Sequence, residues 1–381
     1  MARDALRTAA ASDITILKNS EQYLVYRYLD VDGFRVCKIA HKNGDKLDRE
    51  VDRIVDLKAA YAGLAARLPA ILDHGTFASG IHEGKRYYVQ EFLPGSTLSS
   101  HVQEPRMNFD SLQPAFGTIV SRLLDIVAEH RTVADADIGE GEFLKARILE
   151  EHSRVRALKN VSYVANVRAP AVNGVSYPTL AHSLDHVFRS AMFRDLNMEP
   201  AFISDLGHWN FHGDNIILKD LGKPYAFRVI DPDINLERCD PLFGIARLFY
   251  SFPHDTADYH QYVIQAPIFA SSEADRVDFL VDFLWPRLVY EKYARLFSCV
   301  YELDDGQLRS IDDRLSLSAL MFRLKLNYLY CVMRGVNANY DERIEFVDRN
   351  ITEFRNKAIF LYLQALVFAA HLKEFVDADH S

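Results

Sequence analysis

The 381-residue chain has only four cysteines, Cys37, Cys239, Cys299 and Cys331. No two stand at C-x-x-C spacing, so neither a zinc ligand set nor a redox pair is written in the sequence. A disulfide framework is not expected in a chain this long. A basic excess is missing too: the formal net charge is −9 and the pI is about 5.9. That balance argues against a general nucleic-acid binder, which needs a basic face, and suits a cationic substrate. No apolar h-region follows the opening Met1–Arg7 stretch, which predicts no secretion. The most apolar run, Ala358–Leu372, is interrupted by Gln364 and His371. It is too short and too polar to span a bilayer and predicts a buried helix, with no membrane partner. A cytoplasmic protein is expected. There is no internal repeat and no low-complexity tract.

What is present is enough apolar residue, 49% of the chain, to bury one large core or two modest ones. The first hundred residues read as strands around one helix. Ile14–Leu17 and Tyr23–Leu29 are β-rich, Asp32-Gly33 is a turn signal, and Phe34–Ala40 completes a hairpin. Lys46–Leu64 repeats Leu47, Val51, Ile54, Val55 and Leu57 at helical spacing. Strand candidates follow at Ile71–Phe77 and Arg86–Phe92, and Pro94-Gly95 stops the chain sharply. Beyond it the pattern turns helical, at Phe116–His130, Glu142–Leu158 and Tyr177–Phe193. A strand-turn-strand unit at Asn215–Ile230 turns on Gly222-Lys223-Pro224. From Asp240 onward nearly everything reads as helix. The expectation is an α+β chain with a small antiparallel β lobe over residues 1–95 and a larger helical lobe over 96–381.

Several residues carry more chemistry than packing needs. Lys38, in Val36-Cys37-Lys38-Ile39, lies inside a predicted strand, where a lysine is costly unless its charge is paired. Glu50 in the following helix is the natural partner; a surface lysine on an edge strand is the plain alternative. Gln90-Glu91-Phe92-Leu93-Pro94-Gly95 ends an apolar strand. His208-Trp209-Asn210-Phe211-His212-Gly213-Asp214-Asn215 precedes the apolar Ile216-Ile217-Leu218, and Val229-Ile230-Asp231-Pro232-Asp233 follows sixteen residues past Asn215.

Taken in order, these segments resemble the aminoglycoside phosphotransferase and choline kinase family, of two-lobed protein kinase-like fold. The Glu91–Leu98 stretch is similar to its hinge, residues 208–218 to its catalytic loop, and residues 229–233 to its I-D-x-[DE] metal motif. Asp240-Pro241-Leu242-Phe243-Gly244-Ile245-Ala246 resembles a segment that opens a family helix. The resemblance implies ATP and Mg²⁺ as cofactors and a small molecule as phosphoryl acceptor. It implies Lys38 on the phosphates with Glu50 orienting it, and Glu91 and Leu93 at the adenine edge. It also implies Asn215 and Asp231 as metal ligands, with Asp233 as a helper, and His208 bracing the loop.

Three positions depart from that pattern. Asn210 stands where the family has its catalytic aspartate, and an amide cannot accept a proton. Gly244 stands where an aspartate supports the loop. The nucleotide loop, Leu17 to Tyr23, has no glycine. Asp214 is one substitute base. A shifted register is another option, with Asp205 as the catalytic acid and Asn210 as the metal ligand, at the expense of His212-Gly213-Asp214 falling where a strand belongs. Trp209 either lines a substrate site or packs. The Phe252-Pro253-His254-Asp255 turn either meets substrate or is solvated, and Arg323, Lys325 and Arg334 read as a solvated helix face. Two functions follow: an ATP-dependent small-molecule phosphotransferase, or an impaired pseudokinase that binds nucleotide as a scaffold.

Overall fold

The β-rich runs at the start of the chain pair into one antiparallel sheet. A computed structural model describes residues 14–20, 22–103, 109–129, 138–158, 161–236, 238–254, 262–265, 276–283, 316–339 and 351–378. The strands are β1 (Ile14–Asn19), β2 (Tyr23–Asp30), β3 (Gly33–Ala40), β4 (Ile71–Thr76) and β5 (Arg86–Glu91), in the order β1-β2-β3-β5-β4. β2 and β3 form the expected hairpin, with Asp30 opposite Gly33, whose φ of 119° suits a residue without a Cβ. Between β3 and β4 runs α1 (Gly44–Ala60). Its Leu47 and Val51 pack with Tyr23 and Tyr88 of the sheet. Its Ile54 and Leu57 join the main core. One helical stripe thereby belongs to both lobes.

The chain leaves β5 through Pro94-Gly95 into β6 (Ser96–Thr97), followed by α2 (Leu98–Gln103), α3 (Phe109–Glu129) and α4 (Glu140–Ala157). Gly95 has φ 139°, and a Cβ there would lie 2.3 Å from the Leu218 carbonyl oxygen. That close approach lets β6 pair with the strand at Ile216–Leu218. Next come β7 (Ala169–Val172), β8 (Val175–Ser176), α5 (Leu180–Arg189) and α6 (Ala191–Met198). The sequence predicts one helix over Tyr177–Phe193. The structure breaks it at Ser190, whose hydroxyl caps α6 by accepting the Phe193 N–H at 3.1 Å.

β9 (Ile216–Leu218) and β10 (Arg228–Val229) form the expected strand-turn-strand unit and pair with β6 in a three-stranded sheet. The later chain gives α7 (Phe243–His254), β11 (Tyr262–Gln265), β12 (Arg276–Phe283), α8 (Leu317–Asn339) and α9 (Ile351–Ala378). β11 and β12 correct the all-helical expectation. β12 alternates Val277, Phe279, Val281 and Phe283, a strand period, and pairs parallel to β7 and antiparallel to β11. Phe279 is fully buried. α9 is long and apolar enough to cross a membrane by composition. Between Ala358 and Leu372, however, most of its side chains are buried, and it packs on α8 and α5 as a core helix does. Cys299, Asp255 and Glu21 lie outside the described residues.

Candidate active site

The sequence places Lys38 on a central strand, and the fold supplies the charges that placement requires. Its Nζ donates to both carboxylate oxygens of Glu50 at 2.8 Å and to Oδ1 of Asp231 at 2.7 Å. It also lies 4.8 Å from the Tyr23 ring centroid, so the ammonium is paired and sheltered. Burial alone disfavours this charge, yet Tyr88, Asp231 and Glu50 outweigh it and hold the pKa well above the usual lysine value. Glu50 is 4% exposed. Burial raises its carboxyl to about 7 against the pull of Lys38. Burial pushes Asp231 the same way, but there Lys38 prevails and the carboxyl sits far below its ordinary range. Asp231 keeps 46% side-chain exposure, which leaves it open to a ligand.

Tyr88 was not foreseen. Its hydroxyl donates to Glu50 at 2.6 Å, because Tyr88 is the partner of Lys38 across β3 and β5. Nothing short of that register would reveal it.

The loop before β9 meets this cluster from the other lobe. Asn210 Nδ2 donates to the Asp231 carbonyl oxygen at 2.7 Å. Asn215 Nδ2 reaches the Asn210 carbonyl at 3.1 Å and the Asp231 carbonyl at 3.4 Å. Both bonds use the nitrogen of the Asn215 amide, which leaves its oxygen as the end suited to a hard cation. Asn215 Oδ1 and the Asp231 carboxylate are the donor set Mg²⁺ takes when phosphates complete its shell, rather than an all-protein cage. Among the described residues no cluster of three His, Cys, Asp or Glu offers such a cage. Lys38, Glu50, Asp231, Asn210 and Asn215 thus form one hydrogen-bonded group.

Other expected residues stand beside it. His208 is buried and stacks on Phe211, with ring centroids 4.7 Å apart and 7° between planes. Its carbonyl accepts the Asp233 N–H at 2.9 Å, bracing the segment after β10. Asp214 is on the turn into β9 with 49% side-chain exposure and its carboxylate 4.0 Å from His212. Glu91 ties the lobes: its carboxylate accepts the Ala70 N–H at 3.2 Å and Arg228 at 3.1 Å. Leu93 is buried just beyond it. Asp205 is exposed and paired with Arg238 at 3.0 Å, and β9 starts directly after Asn215, so the geometry opposes the shifted register. Trp209 is 3% exposed and packs, with Arg53 over its ring at 5.4 Å.

Three readings need correction. Asp233 bonds Arg334 at 2.9 Å and is committed there rather than to a cation. Arg323 is fully buried, not solvated: it meets Asp240 at 2.8 and 3.0 Å and Glu140 at 3.3 Å. Residues 252–254 end α7 rather than forming a turn.

No family model matches this chain, and no curated protein matches it. Among solved structures it is similar to an ethanolamine kinase of Plasmodium vivax at 13% identity and TM-score 0.49, covering 98% of this chain and 86% of that one. It is similar to a thermostable mutant of an aminoglycoside phosphotransferase in ternary complex with AMP-PNP and hygromycin B, at 16% identity and TM-score 0.46, covering 95% and 97%. It is also similar to a macrolide 2′-phosphotransferase of Brachybacterium faecium at 13% identity and TM-score 0.44, covering 94% and 96%. At these scores the site is read from its own geometry.

Proposed function

We propose that this chain is an ATP-dependent phosphotransferase that moves the γ-phosphoryl group to a hydroxyl of a small metabolite, such as a sugar, an aminoglycoside or an amino alcohol. The observation that carries this reading is Lys38 held between Glu50 and Asp231 while Asn215 closes on the Asp231 carbonyl. A paired lysine beside two hard oxygen ligands is what a triphosphate and its cation require.

Lys38 presents its ammonium to the α/β-phosphates, and Glu50 holds it there. Asn215 and Asp231 hold Mg²⁺, which when bound neutralises charge developing on the phosphate oxygens. Glu91 and Leu93 line the adenine edge at the end of β5. The acceptor hydroxyl faces Asn210, which cannot take its proton, and Asp214 is the nearest acid in sequence. A general base contributes about 10²–10⁴-fold, so transfer through a loose transition state survives its loss in slowed form. The three described cysteines are buried thiols outside any disulfide among the described residues, which supports a reducing, cytoplasmic setting.

Asn210 also favours a second reading. Its amide is turned to the Asp231 carbonyl, as suits an impaired pseudokinase that binds nucleotide as a scaffold.

Calorimetry with ATP, with and without Mg²⁺, on the chain and on Lys38→Met tests the shared premise. ATP is expected to bind more tightly with Mg²⁺, and Lys38→Met to weaken it roughly a hundredfold, the loss of a desolvated charge pair. No binding to the parent chain would remove both readings.

A further inference from the structure

Asn210 has a function of its own in the structure. Its Nδ2 donates at 2.7 Å to the carbonyl oxygen of Asp231, and Asn215 Nδ2 reaches the same carbonyl at 3.4 Å and that of Asn210 at 3.1 Å. Asp231 has φ 58°, a left-handed backbone conformation that side chains bearing a Cβ seldom adopt. From the strand side, the Ile230 N–H donates to the Asn215 carbonyl at 3.0 Å. Two side-chain amides and one backbone bond thus hold the metal loop against the catalytic loop.

We propose that Asn210 is a positioning residue whose amide clamps the Asp231 carbonyl and keeps Asp231 in its left-handed conformation, rather than a base that has lost its charge. The proposal rests on the reading of Asp231 as a cation ligand. A carboxylate at position 210 has no proton to donate. It would set one acceptor oxygen against another at hydrogen-bond distance, beside the Asp231 charge.

The neighbouring packing shows the same substitution of shape for charge. A Cβ on Gly244 would lie 2.8 Å from the Phe211 ring, so an acid at 244 has no room to support the loop. Ser251 supports it instead, accepting the Gly213 N–H at 2.9 Å and donating to the Leu248 carbonyl at 2.8 Å.

Asn210→Ala and Asn210→Asp decide the matter, through the unfolding midpoint without nucleotide or metal and through ATP affinity with Mg²⁺. A clamp predicts that Ala lowers both and that Asp, although isosteric, lowers both further, with ATP affinity falling roughly tenfold or more as a buried acceptor loses its donor. A side chain that merely fills space gives the reverse order. Asp matching the parent in both measurements, or gaining ATP turnover, would overturn the clamp and restore the lost-base reading. If the parent binds no ATP, the phosphotransferase reading fails, and the order of unfolding midpoints still decides whether Asn210 is a clamp.

Discussion

Two clusters in this molecule share one arrangement, a basic side chain between two acidic ones, and differ in their surroundings. In the cleft, Lys38 stands between Glu50 and Asp231, with Tyr88 bonded to Glu50. In the helical lobe, Arg323 stands between Asp240 and Glu140, with Asn327 bonded to Asp240 at 2.7 Å. Each is one cation between two carboxylates with one neutral donor. Arg323 and Asp240 are fully buried and Glu140 is 1% exposed, whereas Asp231 keeps 46% of its side chain open. The sealed cluster joins α4, the start of α7 and α8, and has no way to exchange partners. The open one lies between lobes, and an incoming anion or cation can displace part of it. Exposure of a single carboxylate separates the sealed cluster from the open one.

Removing the cation from the sealed cluster should have the largest effect. Arg323→Ala leaves Asp240 buried and without its ion pair. Burial already drives the Glu140 carboxyl far above its usual range despite Arg323 beside it. A loss of about 3–5 kcal/mol in chemical denaturation is expected. A loss under about 1 kcal/mol, the level of a surface pair, would erase the contrast between the clusters.

In the open cluster, Tyr88→Phe removes only a hydroxyl. It should weaken Mg²⁺-dependent ATP binding by about 1.5–3 kcal/mol, the worth of a hydrogen bond to a charged group, as titration calorimetry would measure. An unchanged affinity would mean that Glu50 needs Lys38 alone.

The gentlest probe is pH. The folded Glu50 carboxyl titrates at about 7, above its ordinary 4.5. The native state therefore binds a proton more tightly than the unfolded chain, and this contribution to stability is present below about 4.5 and lost as pH rises toward 7. Nucleotide affinity should run the other way, because only ionised Glu50 pairs with Lys38: it should fall as pH drops through 7. Stability and affinity measured from pH 5.5 to 8 should thus slope in opposite directions. Parallel slopes would place the titrating group elsewhere.

The local elements were largely legible. Short apolar and β-rich runs bounded by turn residues gave β1 to β5, helical spacing gave α1, Lys38 and Glu50 stood out by residue type and order, and Asn215 and Asp231 stood out through the family resemblance. The break at Ser190 was missed because an apolar stripe continues across a capping serine; β12 carries its own local alternation, and only its partners, β7 and β11, lie outside any local window. The charged residues of the late helices were misread as solvated for a similar reason. Helical periodicity tells which residues share a face but not what covers it, and Arg323 faces Asp240, 83 positions away.

The sequence alone determined which chemical groups are available and the type of most of the strands and helices carrying them, above all in the first hundred residues. It also determined that residue 210 is an amide. Tertiary structure decided which carboxylate each cation meets, that Tyr88 touches Glu50, and that the Asn210 amide points at a backbone carbonyl. Those outcomes depend on strand register and on the approach of distant loops to within about 3 Å, the range of a hydrogen bond. Local spacing cannot encode a distance between segments that only the folded core brings together.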